Sequence, residues 1–115
     1  MINIIAESGI IDSHIRFKML NGKCENLKEQ EGTVFDIIGY METEQGYEDD
    51  IRKILSIYTN DGRVFGTNSA TVIRTFEAMV ESFGEPTEEN PIKGVGVYAK
   101  TSAKGRTFLD LDFAE

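Results

Sequence analysis

Ile51-Arg52-Lys53-Ile54-Leu55-Ser56-Ile57-Tyr58-Thr59-Asn60-Asp61-Gly62-Arg63-Val64-Phe65-Gly66 decides how the rest of the chain is read. Residues 51–59 are rich in β-branched and large apolar side chains. Lys53, Leu55, Ile57 and Thr59 share one face, and Arg52, Ile54, Ser56 and Tyr58 the other. Asn60-Asp61-Gly62 supplies a tight turn in which glycine takes positive φ, and Arg63–Gly66 returns as a short second strand.

Working outward, Ser69–Phe83 carries Val72, Phe76, Met79, Val80 and Phe83 at offsets of one helical stripe. Ser69 suits the N-cap, and Gly84 followed by Pro86 suits the stop. Ile92–Lys100 and Arg106–Phe113 alternate like two strands around the turn Thr101–Gly105. In the first of them Val95, Val97 and Ala99 are expected inward, with Ile92, Gly94, Gly96, Tyr98 and Lys100 outward. Upstream, Thr33–Glu42 reads as a strand bent at Gly39, followed by an acidic loop over Glu42–Asp50. The expectation is a mainly β, five-stranded Greek-key barrel with one α-helix between strands 3 and 4, which is the order of an OB-fold. Residues 1–32 form an N-terminal extension of the same single domain, in which Ile15–Met19 alternates like a strand with Arg16 and Lys18 outward.

The chain has 115 residues, 40% hydrophobic and 28% charged, a composition ordinary for one globular domain. No run approaches the ~20 apolar residues of a membrane span, and the first residues lack the basic start and cleavage site of a secretory signal. The single cysteine, Cys24, has no internal partner for a disulfide. These features lead to the expectation of a cytoplasmic protein without a membrane partner.

The net charge of −8 is unevenly placed: residues 1–50 hold 11 acids and 4 bases, residues 51–115 hold 9 acids and 8 bases. Lys93, Lys100, Lys104 and Arg106 occur with no acid between Pro91 and Leu109. Catalysis and metal binding have little to rest on. One histidine, His14, and one cysteine lack a third group to orient them, and the paired Asp110 and Asp112 are more simply a solvated face or ion-pair partners. Gly94 and Gly96 lie within a strand and so do not form a phosphate loop. No cofactor is expected.

Binding is better served. Cations that meet phosphates and rings on which bases stack are what single-strand binding requires. Tyr98 with Lys100, and Phe108 with Arg106, place both on the outward face of the last two strands, with Gly94 and Gly96 leaving open backbone beside Tyr98. Arg52 and Tyr58 share a face of the central strand, Arg63 opens its partner, Lys93 lies nearby, and Lys104 sits at a turn tip. The same aromatics also serve as ordinary cross-strand pairs, and the same cations as edge-blunting charges.

Ile57-Tyr58-Thr59-Asn60-Asp61-Gly62-Arg63-Val64-Phe65, Thr67-Asn68-Ser69, Phe83-Gly84 and Lys100-Thr101-Ser102-Ala103-Lys104-Gly105-Arg106-Thr107-Phe108 resemble the small single-stranded DNA-binding proteins of bacteriophages. The resemblance covers residues 33–113. It implies an OB-fold that coats single-stranded DNA in replication or recombination, acts as a homo-oligomer such as a dimer, and meets replication or recombination proteins. The chain departs from bacterial relatives in one respect: the acidic end Asp110–Glu115 follows the last strand directly, without a long tail. The competing expectation is an acidic protein-interaction or inhibitor module, a DNA mimic whose Glu42–Asp50 run faces a basic host protein.

Overall fold

The computed structural model describes residues 2–114, except for the side chain of Tyr47. The hairpin at the centre of the sequence forms as its residues dictate. Strand β4 (Asp50–Thr59) turns through Asn60-Asp61-Gly62 into β5 (Val64–Thr67). Gly62 has φ +84°, its N–H donates to Thr59 C=O at 3.0 Å, and the Thr59 hydroxyl bonds the Asp61 carboxylate. Leu55, Ile57 and Thr59 are fully buried on the inner face.

Strand β3 (Val34–Tyr47) is longer than the residue types suggest. Glu42–Asp50 is not a loop: β3 runs on through it and pairs with β4 as far as Tyr47↔Asp50. Backbone pairing along the hairpin outweighs the poor strand propensity of its acids, whose side chains stay at or near the surface beyond Thr43. Two register shifts bend β3, one opposite β4 between Ile37 and Gly39 and one opposite β6 between Phe35 and Ile37. The first reverses the inward face, so Phe35, Ile37 and Tyr40 enter the main core while Met41 enters a second cluster on the opposite side. Gly39 is required there, because a Cβ would lie 2.8 Å from Ile10 Cδ1 and 3.0 Å from Ser8 C=O.

Helix α2 (Ala70–Phe83) begins and ends as its caps predict. The Ser69 hydroxyl accepts from Val72 N–H at 3.3 Å, and Gly84, at φ +90°, donates its N–H to Val80 C=O at 2.8 Å. Val72, Ile73, Phe76 and Met79 are buried, and Phe76 meets Tyr40 edge to face at 4.9 Å. Phe83 leaves the stripe and sits exposed against Phe113, with ring centroids 5.2 Å apart.

Strands β6 (Ile92–Thr101) and β7 (Thr107–Phe113) form the second hairpin. Val95 and Val97 point inward as expected, but Ile92 is also buried and Ala99 is exposed. Gly94 at φ +68° adds one residue to β6 opposite Phe35–Ile37, and this bulge turns Ile92 inward, whereas Ala99, in phase with Val95 and Val97, is exposed toward the end of the strand.

The N-terminal residues do not form an appendage. Strand β1 (Ile2–Ser8) pairs antiparallel with the outer half of β3, and β2 (Glu25–Asn26) pairs parallel with β5. Ile15–Met19 belongs to helix α1 (Ser13–Leu20), not to a strand; Asp12 caps it by accepting from His14 N–H at 2.8 Å. The period of Ile15 and Met19 is four, and both are buried against Met41 and Val64. A single 3-10 turn, Leu27–Glu29, carries Leu27 into the main core.

The described residues are therefore mainly β, with seven strands rather than five, in the order β2-β5-β4-β3-β6-β7 and with β1 on β3. The sheet curls into a half-barrel around α2. Strands β5 and β7 are not paired with one another, so the barrel stays open along that seam.

Candidate nucleic-acid interface

The structure sorts the nine residues singled out from the sequence into two groups. Arg52 and Tyr58 lie on β4 and Arg63 ends the turn into β5; Lys93, Tyr98, Lys100, Lys104, Arg106 and Phe108 lie on the β6–β7 hairpin. Strand β3 separates the two groups.

In the first group, little is left for a ligand. Arg52 is exposed at the outer end of β4, with its Nε 3.5 Å from Asp50 Oδ1. The Tyr58 ring is half-buried under α1 in the cluster of Ile15, Met19, Met41 and Val64. Arg63 makes a two-pronged pair with Glu25, at 3.0 and 2.7 Å, reaches Gln30 at 3.3 Å, and lies 4.7 Å over the Phe65 ring. This pair holds the Glu25 carboxyl below its usual range. Arg63 thus fastens β2 to β5 rather than presenting a cation.

In the second group, the strand register puts Tyr98 opposite Asp110 and Lys100 opposite Phe108 on one face. Lys100 is partly neutralised, with Nζ 3.6 Å from Asp110 and 3.4 Å from Asp112. The space over Gly96 is not open to a base. The Tyr98 ring fills it, such that a Cβ at Gly96 would come within 2.5 Å of the hydroxyl oxygen. Asp110 is nearly buried and accepts the Thr75 hydroxyl at 2.7 Å, which pins β7 to α2.

Lys93, Lys104 and Arg106 are exposed, and among the described residues no carboxylate oxygen lies within 4 Å of their nitrogens. Lys104 and Arg106 are held on a defined turn. Gly105 at φ +79° donates to Ser102 C=O at 2.9 Å, and Ser102 N–H donates to Arg106 C=O at 2.8 Å. This turn feeds into Phe108, 36% exposed, which stands at the mouth of a cavity of about 640 Å³.

That cavity was not visible in the sequence. It occupies the open seam: one wall is Thr107–Leu109 of β7, the other is Leu27, Lys28, Glu31, Thr67, Asn68 and Ser69, and the buried Val72 and Val97 form its floor. Lys28, Thr67 and Asn68 also border a second cavity of about 460 Å³ along Gln45, Ile54, Ser56 and Gly66. The two share Lys28, Thr67 and Asn68, and the second extends over the outer face of β4 and β5. Its signal in the sequence was slight: Asn68 stood in a helix-capping stretch and Lys28 in a segment with no clear period.

Among the described residues, no group of three or more His, Cys, Asp or Glu is placed to hold a metal ion, and no helix is long and apolar enough to cross a membrane. Burial raises the Cys24 thiol above its ordinary range, leaving it a poor nucleophile. No protein-family model, no curated protein and no solved structure matches the chain.

Proposed function

We propose that this protein binds single-stranded nucleic acid, DNA in the first instance, without sequence preference and without catalysis. One observation carries the reading: Lys104 and Arg106, exposed and free of neighbouring carboxylates, project from an ordered turn beside Phe108 at the mouth of a groove. Cations that follow a backbone next to a ring that stacks on bases are the elements of sequence-tolerant single-strand binding. On the opposite rim Lys28 stands with Glu31, so the free positive charge is concentrated at the turn.

The architecture supports the same reading. The strand order β5-β4-β3-β6-β7, with a helix between β5 and β6, is compatible with an OB barrel left open between its third and fifth strands. In that fold the face of the second and third strands and the loop between the fourth and fifth take up ligand; here those are the β4–β5 face and the Ser102–Arg106 turn. The corresponding role is to coat strands exposed during phage replication or recombination, as an oligomer. The surface proposed is narrower than the nine residues above: Lys104, Arg106, Phe108 and Lys28, with Lys93 and Tyr98 flanking.

Fluorescence anisotropy with oligo-dT and with a duplex of equal length tests the reading. Salt-sensitive binding to oligo-dT well above duplex is expected; absent or equal binding refutes it. A second reading, an acidic module for a basic protein, draws on the β3–β4 hairpin end. There Glu44, Glu48, Asp49 and Asp50 fall close together in the chain, and Arg52 is held by Asp50. Recovery of one stoichiometric basic partner after nuclease treatment, with no oligonucleotide binding, would select it.

A further inference from the structure

Strand β7 is bonded on one side only. Ala114 N–H donates to Gly94 C=O at 2.8 Å, and the register with β6 is regular throughout, so even-numbered residues of β7 turn their main-chain groups toward β6. Thr107, Leu109, Leu111 and Phe113 therefore turn theirs outward. Half of this edge is closed by the chain itself: Leu111 N–H donates to the Asp110 carboxylate and Phe113 N–H to the Asp112 carboxylate, each at 2.8 Å. Carboxylates that occupy edge donors block strand addition. Thr107 and Leu109 have no such closure among the described residues, and both line the 640 Å³ cavity.

We propose that the seam between β5 and β7 receives an extended segment of another polypeptide, added antiparallel along Thr107–Leu109. The edge presents N–H and C=O groups together, repeating every ~6.8 Å along the strand. A polypeptide backbone matches both groups at that repeat, whereas phosphates only accept. Phe108 and the half-buried Leu109 offer apolar surface to the side chains that alternate along such a segment. Charge sets its order. Lys104 and Arg106 stand free at the Thr107 end, and Asp112 is exposed at the other. The segment is therefore acidic at its C-terminal end, beside the turn, and basic at its N-terminal end. This inference goes beyond nucleic-acid binding and does not rest on it.

The test uses the full chain, labelled for amide exchange, and two synthetic probes: the peptide Lys-Thr-Val-Thr-Val-Thr-Asp and its counterpart with the charged ends exchanged. The first is expected to slow exchange at the Thr107 and Leu109 amides about tenfold and to leave Leu111 and Phe113 unchanged. The exchanged peptide is expected to bind several-fold more weakly. Asp112→Ala, at an exposed position, removes the acid that faces the basic end and should narrow the difference between the two peptides. Protection at neither amide, protection elsewhere, equal binding of the two peptides, or protection by oligo-dT in place of peptide overturns the proposal. Since the probes are peptides, failure here leaves the oligonucleotide titration standing, and the reverse also holds.

Discussion

Replacing Lys104 and Arg106 together by Ala should weaken oligo-dT binding in a way that the salt dependence identifies. Both side chains are exposed and unpaired among the described residues, so each is ready to displace a counterion from a phosphate without first breaking an ion pair. For single strands each such contact contributes about 0.7 to the slope of log K against log salt. Losing two should flatten the slope by about 1.4, which at about 0.1 M salt is about 25-fold in affinity. The comparison variant is Arg63→Ala. Arg63 already spends its guanidinium on Glu25, so its loss should leave the slope unchanged and instead lower stability by loosening β2 from β5. Anisotropy titrations across a salt series, with thermal melts of each variant, measure both. An unchanged slope for the double variant, or a slope that falls only with Arg63→Ala, would refute the assignment of the free turn cations.

Three other outcomes follow from the packing. The Glu42 side chain is almost completely buried, with Lys53 Nζ 3.6 Å away and the Glu77 carboxylate next to it. Burial first, then Glu77, raises its pKa above 4.5 against the pull of Lys53. Folding therefore favours the protonated form: the contribution is complete below the unfolded value and disappears as pH rises through the raised one. Melting temperature should fall across that window in the native chain and stay flatter in Glu42→Gln. Phe76→Ala empties a fully buried site against Tyr40 and should cost about 3–5 kcal/mol in denaturant titrations. Gly9→Ala, at φ +71°, would put a Cβ 2.1 Å from Ile38 C=O; expression with a strongly lowered melting temperature is expected, and a native-like melt would show that residues 1–24 are not integral to the fold.

The local pieces were legible wherever side-chain chemistry and backbone geometry act within a few residues. Asn60-Asp61-Gly62 had to turn, Ser69 and Gly84 had to bound a helix, and the apolar stripe from Val72 to Val80 had to be buried. Regions where pairing partners decide the outcome misled. Glu42–Asp50 looked like a loop because acids are poor strand formers, yet nine consecutive pairings of β3 with β4, from Gly39↔Tyr58 to Tyr47↔Asp50, hold it extended. Ile15–Met19 looked like a strand because Ile15, Phe17 and Met19 alternate with Arg16 and Lys18, and five residues are too few to separate that alternation from a period of four. The candidate site divided along the same line. The free cations Lys104 and Arg106 could be picked out by the absence of nearby acids in sequence, but Arg63 could not be known to be paired, since Glu25 lies 38 residues away.

What the sequence by itself determined is the set of strands, turns and caps that short-range sterics and hydrogen bonding impose, together with a basic patch in an acidic chain. Only the tertiary structure decided that the barrel remains open. Strand β2 takes up the edge of β5 at Phe65 and Gly66, and α2 anchors β7 through Thr75 and Asp110, so the two strands never meet. The groove, its free edge and its rim of cations exist because those long-range contacts compete for the same backbone groups.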